Sequence, residues 1–271
     1  MSRASVEIRL PPSFGPEHEA AVIAYLADGL VGSADWAKAF QAFDILDEAI
    51  LVTPEGRRTF RALYREIVED ELTDSYLREL MALDDVDSQS PALWARYARR
   101  IVDHFTRRGW RRPDLPDARL FLSYLLYWWG AFARGYALEV VIFRDLQRSG
   151  LRFQAHNLLQ RRERYSVSDL TVQGLAGDIK TSVYFVQIAR PLIHDFYIVR
   201  LWARGRVSTL VVLLQPPAWD TINGDTVDGD LDDLTDLQSS PVRIRRRGHE
   251  LVVLDYDEWK RRILRLQGVA Q

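Results

Sequence analysis

The chain has 271 residues, 47% of them hydrophobic and 27% charged, and a formal net charge of −2. That balance suits one large or two modest globular domains and excludes collagen-like, disordered and disulfide-scaffold classes. It has no cysteine, which removes disulfides, thiolate metal sites, iron–sulfur clusters and cysteine nucleophiles together. The near-zero net charge gives no global attraction to nucleic acid or anionic membrane.

A short strand is expected at Val6–Leu10, ending at Pro11 and Pro12. From Glu17 to about Arg108 the pattern is helical. Phe60, Leu63, Tyr64, Ile67 and Val68 are its clearest apolar stripe, at i, i+3, i+4, i+7 and i+8. Asp84–Pro91 reads as a polar loop, and Ala92–Arg107 as helix again. Pro113–Pro116 is a breaker and the expected domain boundary, giving a mainly helical region 1–115 for substrate or partner selection and a second domain 116–271. Asp117 is placed to cap the next helix, about Ala118 to Arg148, stopped by Ser149 and Gly150. Its apolar run, Leu120–Phe143, has the length of a bilayer span. Arg134 and Glu139 interrupt it, so a buried core helix is expected and no membrane segment. The first residues contain no apolar signal core, so a cytoplasmic location is the default.

After Gly150 the period shortens. Leu151–Leu158, Val167–Val172 and Gly177–Phe185 are strand-like, with Gln173 and Gly174 as a turn between the second and third. A short helix at Tyr184–Leu192, strands at Phe196–Trp202 and Thr209–Leu214, an acidic loop at Asp220–Asp236, edge strands at Val242–Arg246 and Glu250–Leu254, and a terminal helix at Glu258–Leu266 complete the order. The fold class is α/β: a helical N-terminal region followed by a mixed β-sheet core flanked by helices.

The chemistry concentrates in Ser168–Ser182. Asp178 and Lys180 are two apart on a predicted strand and share a face. A two-residue turn at Gln173–Gly174 pairs 172 with 175, 171 with 176, 170 with 177 and 169 with 178. Asp169 then faces Asp178 directly. Like charges in that position are destabilising unless a cation lies between them, and hard divalent ions such as magnesium take oxygen ligands of this kind. On the preceding helix Glu139 projects among Leu138, Ile142, Phe143 and Leu146, where a carboxylate is costly unless paired or ligated. Lysine usage adds weight. Of 36 basic residues only Lys38, Lys180 and Lys260 are lysine, and a compact ammonium can hold a water or give up its proton where a guanidinium cannot. Three carboxylates, one lysine and a divalent-ion site are the equipment of metal-assisted phosphodiester hydrolysis.

Glu139 on a helix, then Asp169, then Asp178-Ile179-Lys180 on the next strand, resembles the PD-(D/E)xK nuclease superfamily, which includes restriction endonucleases, recombination exonucleases and junction resolvases. The resemblance covers about Ala118–Leu214, with the same order of helix, three strands, helix and strand. It implies a restriction-endonuclease-like core in which Asp169 and Asp178 bind magnesium or manganese, with the Ile179 carbonyl as a further ligand. Glu139 would bind or orient the metal through water, and Lys180 would position the attacking water. Ser168 stands where the motif name has proline. The implied activity is a magnesium- or manganese-dependent nuclease acting on DNA, as a homodimer or as a subunit of a larger defence, mobile-element or repair assembly. The alternative is a catalytically silent nuclease fold that binds nucleic acid or serves an assembly.

Around this set the other features carry less. Glu258-Trp259-Lys260 repeats the acid–x–lysine triplet, but at a predicted helix start, where i and i+2 point apart. Arginine clusters occur at Arg107–Arg112, Arg161–Arg164 and Arg243–Arg247. In the second, Arg161, Arg162 and Arg164 lie beside the expected site and are candidates for holding flanking phosphates. The acidic loop lacks the spacing and closing glutamate of an EF-hand. His156 lies on the first predicted strand within reach of the site, though an ordinary half-buried histidine is the simpler reading. Trp128 and Trp129 are expected in the core rather than as base-stacking platforms. The chain has no P-loop, GxGxxG or GxSxG motif.

Overall fold

The computed structural model describes residues 7–28, 36–53, 56–107, 116–182, 191–203, 206–213, 227–228, 241–246 and 248–269. Its contacts divide the chain into two compact units, Met1–Ala133 and Arg134–Gln271. The division falls inside a long helix, beyond the Pro113–Pro116 breaker.

The first unit is helical, with a small sheet the periodicity did not show. β1 (Glu7–Arg9), β2 (Ile50–Thr53) and β3 (Gly56–Thr59) form an antiparallel sheet in that order. The continuous helical reading from Glu17 is therefore corrected at 50–59. Ile50, Leu51, Val52 and Thr53 are apolar or β-branched and suit a pleated surface, and Gly56 takes the positive φ of 137° that the hairpin needs. The helices are α1 (Pro16–Asp28), α2 (Trp36–Leu46), α3 (Phe60–Tyr64), α4 (Thr73–Met81), α5 (Val86–Arg107) and α6 (Pro116–Arg148). Thr59 caps α3, its hydroxyl accepting the Ala62 N–H at 3.1 Å. The predicted stripe is buried: Phe60, Leu63, Tyr64, Ile67 and Val68. The coil changes to a π-helical turn over Arg65–Asp70. α5 begins six residues before the predicted Ala92, so Asp84–Pro91 is not simply a loop. Asp85 accepts the Ser88 N–H at 3.2 Å, and Pro91 sits on an exposed face of the helix, where water can satisfy the carbonyl left unpaired. α6 begins at Pro116, so Asp117 lies in its first turn rather than before it.

Trp129 lies at the centre of this unit, fully buried. It meets Tyr76 edge-on at 4.8 Å and stacks on Tyr97 at 5.8 Å. Its indole N–H reaches the Trp94 carbonyl at 3.2 Å, and the Tyr76 hydroxyl reaches that of Ala133 at 3.1 Å. Trp129 and Tyr76 thus have their polar atoms satisfied, and Trp129 is core as expected. Among the described residues no helix is long and apolar enough to cross a membrane.

The second unit is built on an eight-stranded mixed sheet. In spatial order it runs β4 (Gln154–Ala155), β5 (Leu170–Val172), β6 (Leu175–Lys180), β7 (Phe196–Ala203), β8 (Arg206–Leu213), β11 (His249–Asp255), β10 (Val242–Arg246) and β9 (Val227–Asp228). β6 and β7 are parallel, as are β9 and β10; the other neighbours are antiparallel. The two predicted strands before the hairpin are shorter than expected, and much of 151–169 is irregular. Between them lies α7 (Arg161–Arg164), and the chain's last helix is α8 (Tyr256–Leu266). The central strands are buried on both faces, Tyr197, Val199, Leu210 and Val212 on one and Phe196, Ile198, Val211 and Leu213 on the other, which explains their unbroken apolar runs. α8 closes the second face. Asp255 caps it, accepting the N–H groups of Asp257 and Glu258, and Trp259 packs on Phe196 at 5.5 Å.

Most of the predicted helix Tyr184–Leu192 and of the acidic segment Asp220–Asp236 lies outside the described residues; within the latter, Val227–Asp228 pairs with β10.

Candidate metal centre

The site begins at a two-residue turn. Gln173 and Gly174 both have positive φ, 54° and 80°, the pairing a tight hairpin of right-handed twist requires. It sets Val172 opposite Leu175, Thr171 opposite Ala176 and Leu170 opposite Gly177. Asp169 lies one residue beyond that ladder, and its carboxylate meets that of Asp178. The Asp169 N–H donates to the Gly177 carbonyl at 3.0 Å, and Asp169 Oδ2 accepts the Ile179 N–H at 2.7 Å.

The ladder continues on both sides. β4 pairs Gln154 with Thr171 and Ala155 with Leu170, and the His156 N–H donates to the Asp169 carbonyl at 3.0 Å. β7 pairs Tyr197 with Asp178. His156, Asp169, Asp178 and Tyr197 therefore form one row across four strands, on one face of the sheet. Lys180, two residues past Asp178, shares that face and forms an ion pair with Asp178 Oδ2. Glu139 reaches the row from α6, and its Oε2 lies 2.9 Å from His156 Nε2. Leu138, Ile142, Phe143 and Leu146 of the same helix are buried as well. Ile179 is buried between Asp178 and Lys180.

The electrostatics follow from crowding. Glu139 is 8% exposed, and burial raises its pKa against the opposing pull of the His156 contact. Burial also raises Asp169, together with the charges of Glu139 and Asp178, to about 9. Burial lowers the affinity of Lys180 for its proton, but the Asp178 carboxylate, with Asp169 and Tyr197, outweighs this and holds the ammonium above its ordinary value. Three carboxylates thus face one ammonium in a poorly solvated space. Oxygen or nitrogen atoms of Glu139, His156 and Asp169 all lie within 4.8 Å of one another. The donor set, oxygen-rich and short of positive charge, fits a divalent cation.

Two histidines belong to this neighbourhood. The side chain of His156 is 4% exposed, and its Nδ1 lies 3.2 Å from Ser166 Oγ and 3.8 Å from Asp169 Oδ1. His194 donates from Nε2 to the Val167 carbonyl at 2.6 Å, and its Nδ1 lies 3.1 Å from the Tyr197 hydroxyl. That places it 3.9 Å from Asp178. Sequence reasoning undervalued the first and missed the second. The β4 register that brings His156 opposite Asp169 is set across a long irregular connection, not by a turn. His194 precedes the strand it supports.

The arginine cluster divides. Arg161 and Arg162 are exposed on α7. Arg164 is corrected: it is 5% exposed and donates from Nε to the Leu158 carbonyl at 3.0 Å, so it braces the loop rather than meeting phosphate. The second acid–x–lysine triplet is structural. It lies on α8, where Lys260 pairs with Asp145 at 2.6 Å and Glu258 with Arg262 at 2.6 Å. Arg243 likewise pairs with Glu250 at 2.9 Å across β10 and β11.

No family model, no curated protein and no solved structure matches the chain.

Proposed function

We propose that the chain is a metal-dependent nuclease that hydrolyses phosphodiester bonds in DNA, its second unit a restriction-endonuclease-like core of the PD-(D/E)xK type. The observation that carries this reading is the convergence of Glu139, Asp169, Asp178 and Lys180 at one end of a mixed sheet, from the helix, hairpin and strand positions that the resemblance assigns to them. The order of α6, three antiparallel strands and then a parallel neighbour supports it.

The residues assign themselves roles. Asp169 and Asp178, with the Ile179 carbonyl, would hold magnesium or manganese, and Glu139 would complete or orient that set. When bound, such an ion polarises a phosphate oxygen and makes a bound water acidic. Lys180, kept charged by Asp178, would position the attacking water; as the water's oxygen bonds to phosphorus one ester P–O bond breaks, the water gives up a proton to solvent and the leaving oxygen takes one. Burial of the carboxylates excludes bulk water and strengthens each of these interactions. Arg161 and Arg162, exposed on α7, would hold phosphates flanking the scissile one. Such contacts position a strand without reading its sequence.

End-labelled single- and double-stranded DNA, incubated with the full chain in magnesium, manganese or EDTA beside Lys180→Ala, tests the reading. Metal-dependent cutting that disappears in the variant is the expected result. Cutting that survives in the variant would place the activity elsewhere. DNA binding with no cutting under either metal would favour the catalytically silent fold.

A further inference from the structure

We propose that His156 is itself a ligand of the metal centre, through Nε2, and that this nitrogen makes the site select a transition-metal ion over magnesium. The inference rests on the metal-centre reading above and adds to it a residue and a preference.

The hydrogen bonds around the ring fix which nitrogen carries the proton. Ser166 has one hydroxyl hydrogen, and it is directed at the Ser168 carbonyl at 2.6 Å. Ser166 Oγ can therefore only accept from His156, which places the ring hydrogen on Nδ1, 3.2 Å away. The lone pair of Nε2 is left pointing into the carboxylate cluster, 2.9 Å from Glu139 Oε2. Two acceptors at that distance repel unless something positive joins them. A cation shared by Nε2 and Oε2 does so, and Glu139, His156 and Asp169 together offer it three ligand atoms within 4.8 Å of one another. Atoms bound to one ion about 2.1 Å away stand about 3 to 4 Å apart, which the Nε2–Oε2 separation matches.

The second nitrogen completes the pattern. A ligating imidazole characteristically donates its other N–H to a polar partner that fixes the ring, as Ser166 does here. The backbone fixes it too, through the His156 N–H bond to the Asp169 carbonyl. A ring so buried and so oriented has little freedom to lose on binding. Its chemistry then selects the ion. Magnesium favours oxygen ligands and gives up water reluctantly. Imidazole nitrogen raises affinity along the first-row transition series instead.

Manganese is the probe, because its electron spin senses a directly bound nitrogen. The full-length wild type, loaded with one equivalent of Mn²⁺, is expected to show the ¹⁴N coupling of a coordinated imidazole in electron spin-echo spectra. His156→Gln is expected to lose that coupling and to bind Mn²⁺ at least about tenfold more weakly, while Mg²⁺ affinity changes by less than about threefold. Bound Mn²⁺ without nitrogen coupling in the wild type would overturn the role of His156 while leaving the carboxylate centre standing. Equal losses of both metals in His156→Gln would overturn the claimed selectivity. Failure of the wild type to bind Mn²⁺ at all would overturn the metal centre itself, and the inference with it. Should His156→Gln fold poorly, His194→Gln decides the ligand: coupling retained there assigns it to His156, and coupling lost there overturns the assignment.

Discussion

Gly177→Ala is the substitution the sheet should tolerate least. A Cβ built on Gly177 falls 2.2 Å from Phe196 Cζ, 2.4 Å from Cε2 and 2.7 Å from Cε1. β6 and β7 set the two residues side by side, so the ring lies over the glycine. Phe196 is 1% exposed and backed by Trp259, and no open space receives it. Overpacking of this kind costs about 1–3 kcal/mol. Expelling the ring instead would forfeit part of the roughly 3–5 kcal/mol that a buried phenylalanine contributes. We expect a loss near 3 kcal/mol in urea unfolding, with little change in slope. The cause is checked by a double-mutant cycle. Phe196→Ala should be costly alone, but adding Gly177→Ala to it should cost at least about 1 kcal/mol less than in the wild type. A Gly177→Ala protein within about 0.5 kcal/mol of wild type, or strictly additive variants, would refute the contact. Because Asp178 is the next residue, Mn²⁺ affinity should fall in the same protein.

The two exposed arginines and the buried one separate in behaviour. Arg162→Ala should leave stability within about 0.5 kcal/mol and lower the salt dependence of DNA binding by about one phosphate contact, whereas Arg164→Ala should cost about 1–3 kcal/mol by leaving the Leu158 carbonyl unpaired; thermal melts and salt titrations read both. Asp169→Asn should stabilise the metal-free protein above neutral pH. With its folded pKa raised from 3.8 to about 9, Asp169 binds a proton in the folded state that the unfolded chain releases. The penalty is absent below pH 4, grows to about pH 9 and is constant above it. At pH 7 it is at most about 4 kcal/mol. A variant that melts lower than wild type in EDTA at pH 8, or that gains equally at pH 4, would show that ionisation is not the cause.

What the sequence made legible was local. The Gln173–Gly174 turn carries its own geometry, so the pairing of β5 with β6 from Val172–Leu175 to Leu170–Gly177 followed from residue types alone. Glu139 was visible because helical periodicity exposes a charge within an apolar arc. The burial of Trp129 was visible for the same reason. What stayed hidden depends on partners distant in sequence. Ile50–Thr59 looked helical because each of its two strands has only four residues, too few for alternation to show, and the outer strand, Glu7–Arg9, lies far back in the chain. Arg164 looked like its exposed neighbours because its partner, the Leu158 carbonyl, is a backbone atom that no residue type announces. His156 needed a strand register set by a connection with no turn signature. The start of α5 was misplaced because Asp85 acts as a cap only if Pro91 is tolerated on an exposed face.

The single row of side chains across β4, β5, β6 and β7 constrains how this protein can change over generations. Alternation in a strand has a period of two, so an added residue in the Gln173–Gly174 turn must be absorbed as a bulge, or it turns one partner of the Asp169–Asp178 pair to the opposite face. The connection between His156 and Asp169 is longer and mostly irregular, and it can gain or lose residues without disturbing that pair. Length variation among descendants of this sequence should therefore collect around α7, where the exposed arginines lie, and be absent from the hairpin. Such a lineage can diversify what it grips while its reactive centre admits substitutions but not insertions.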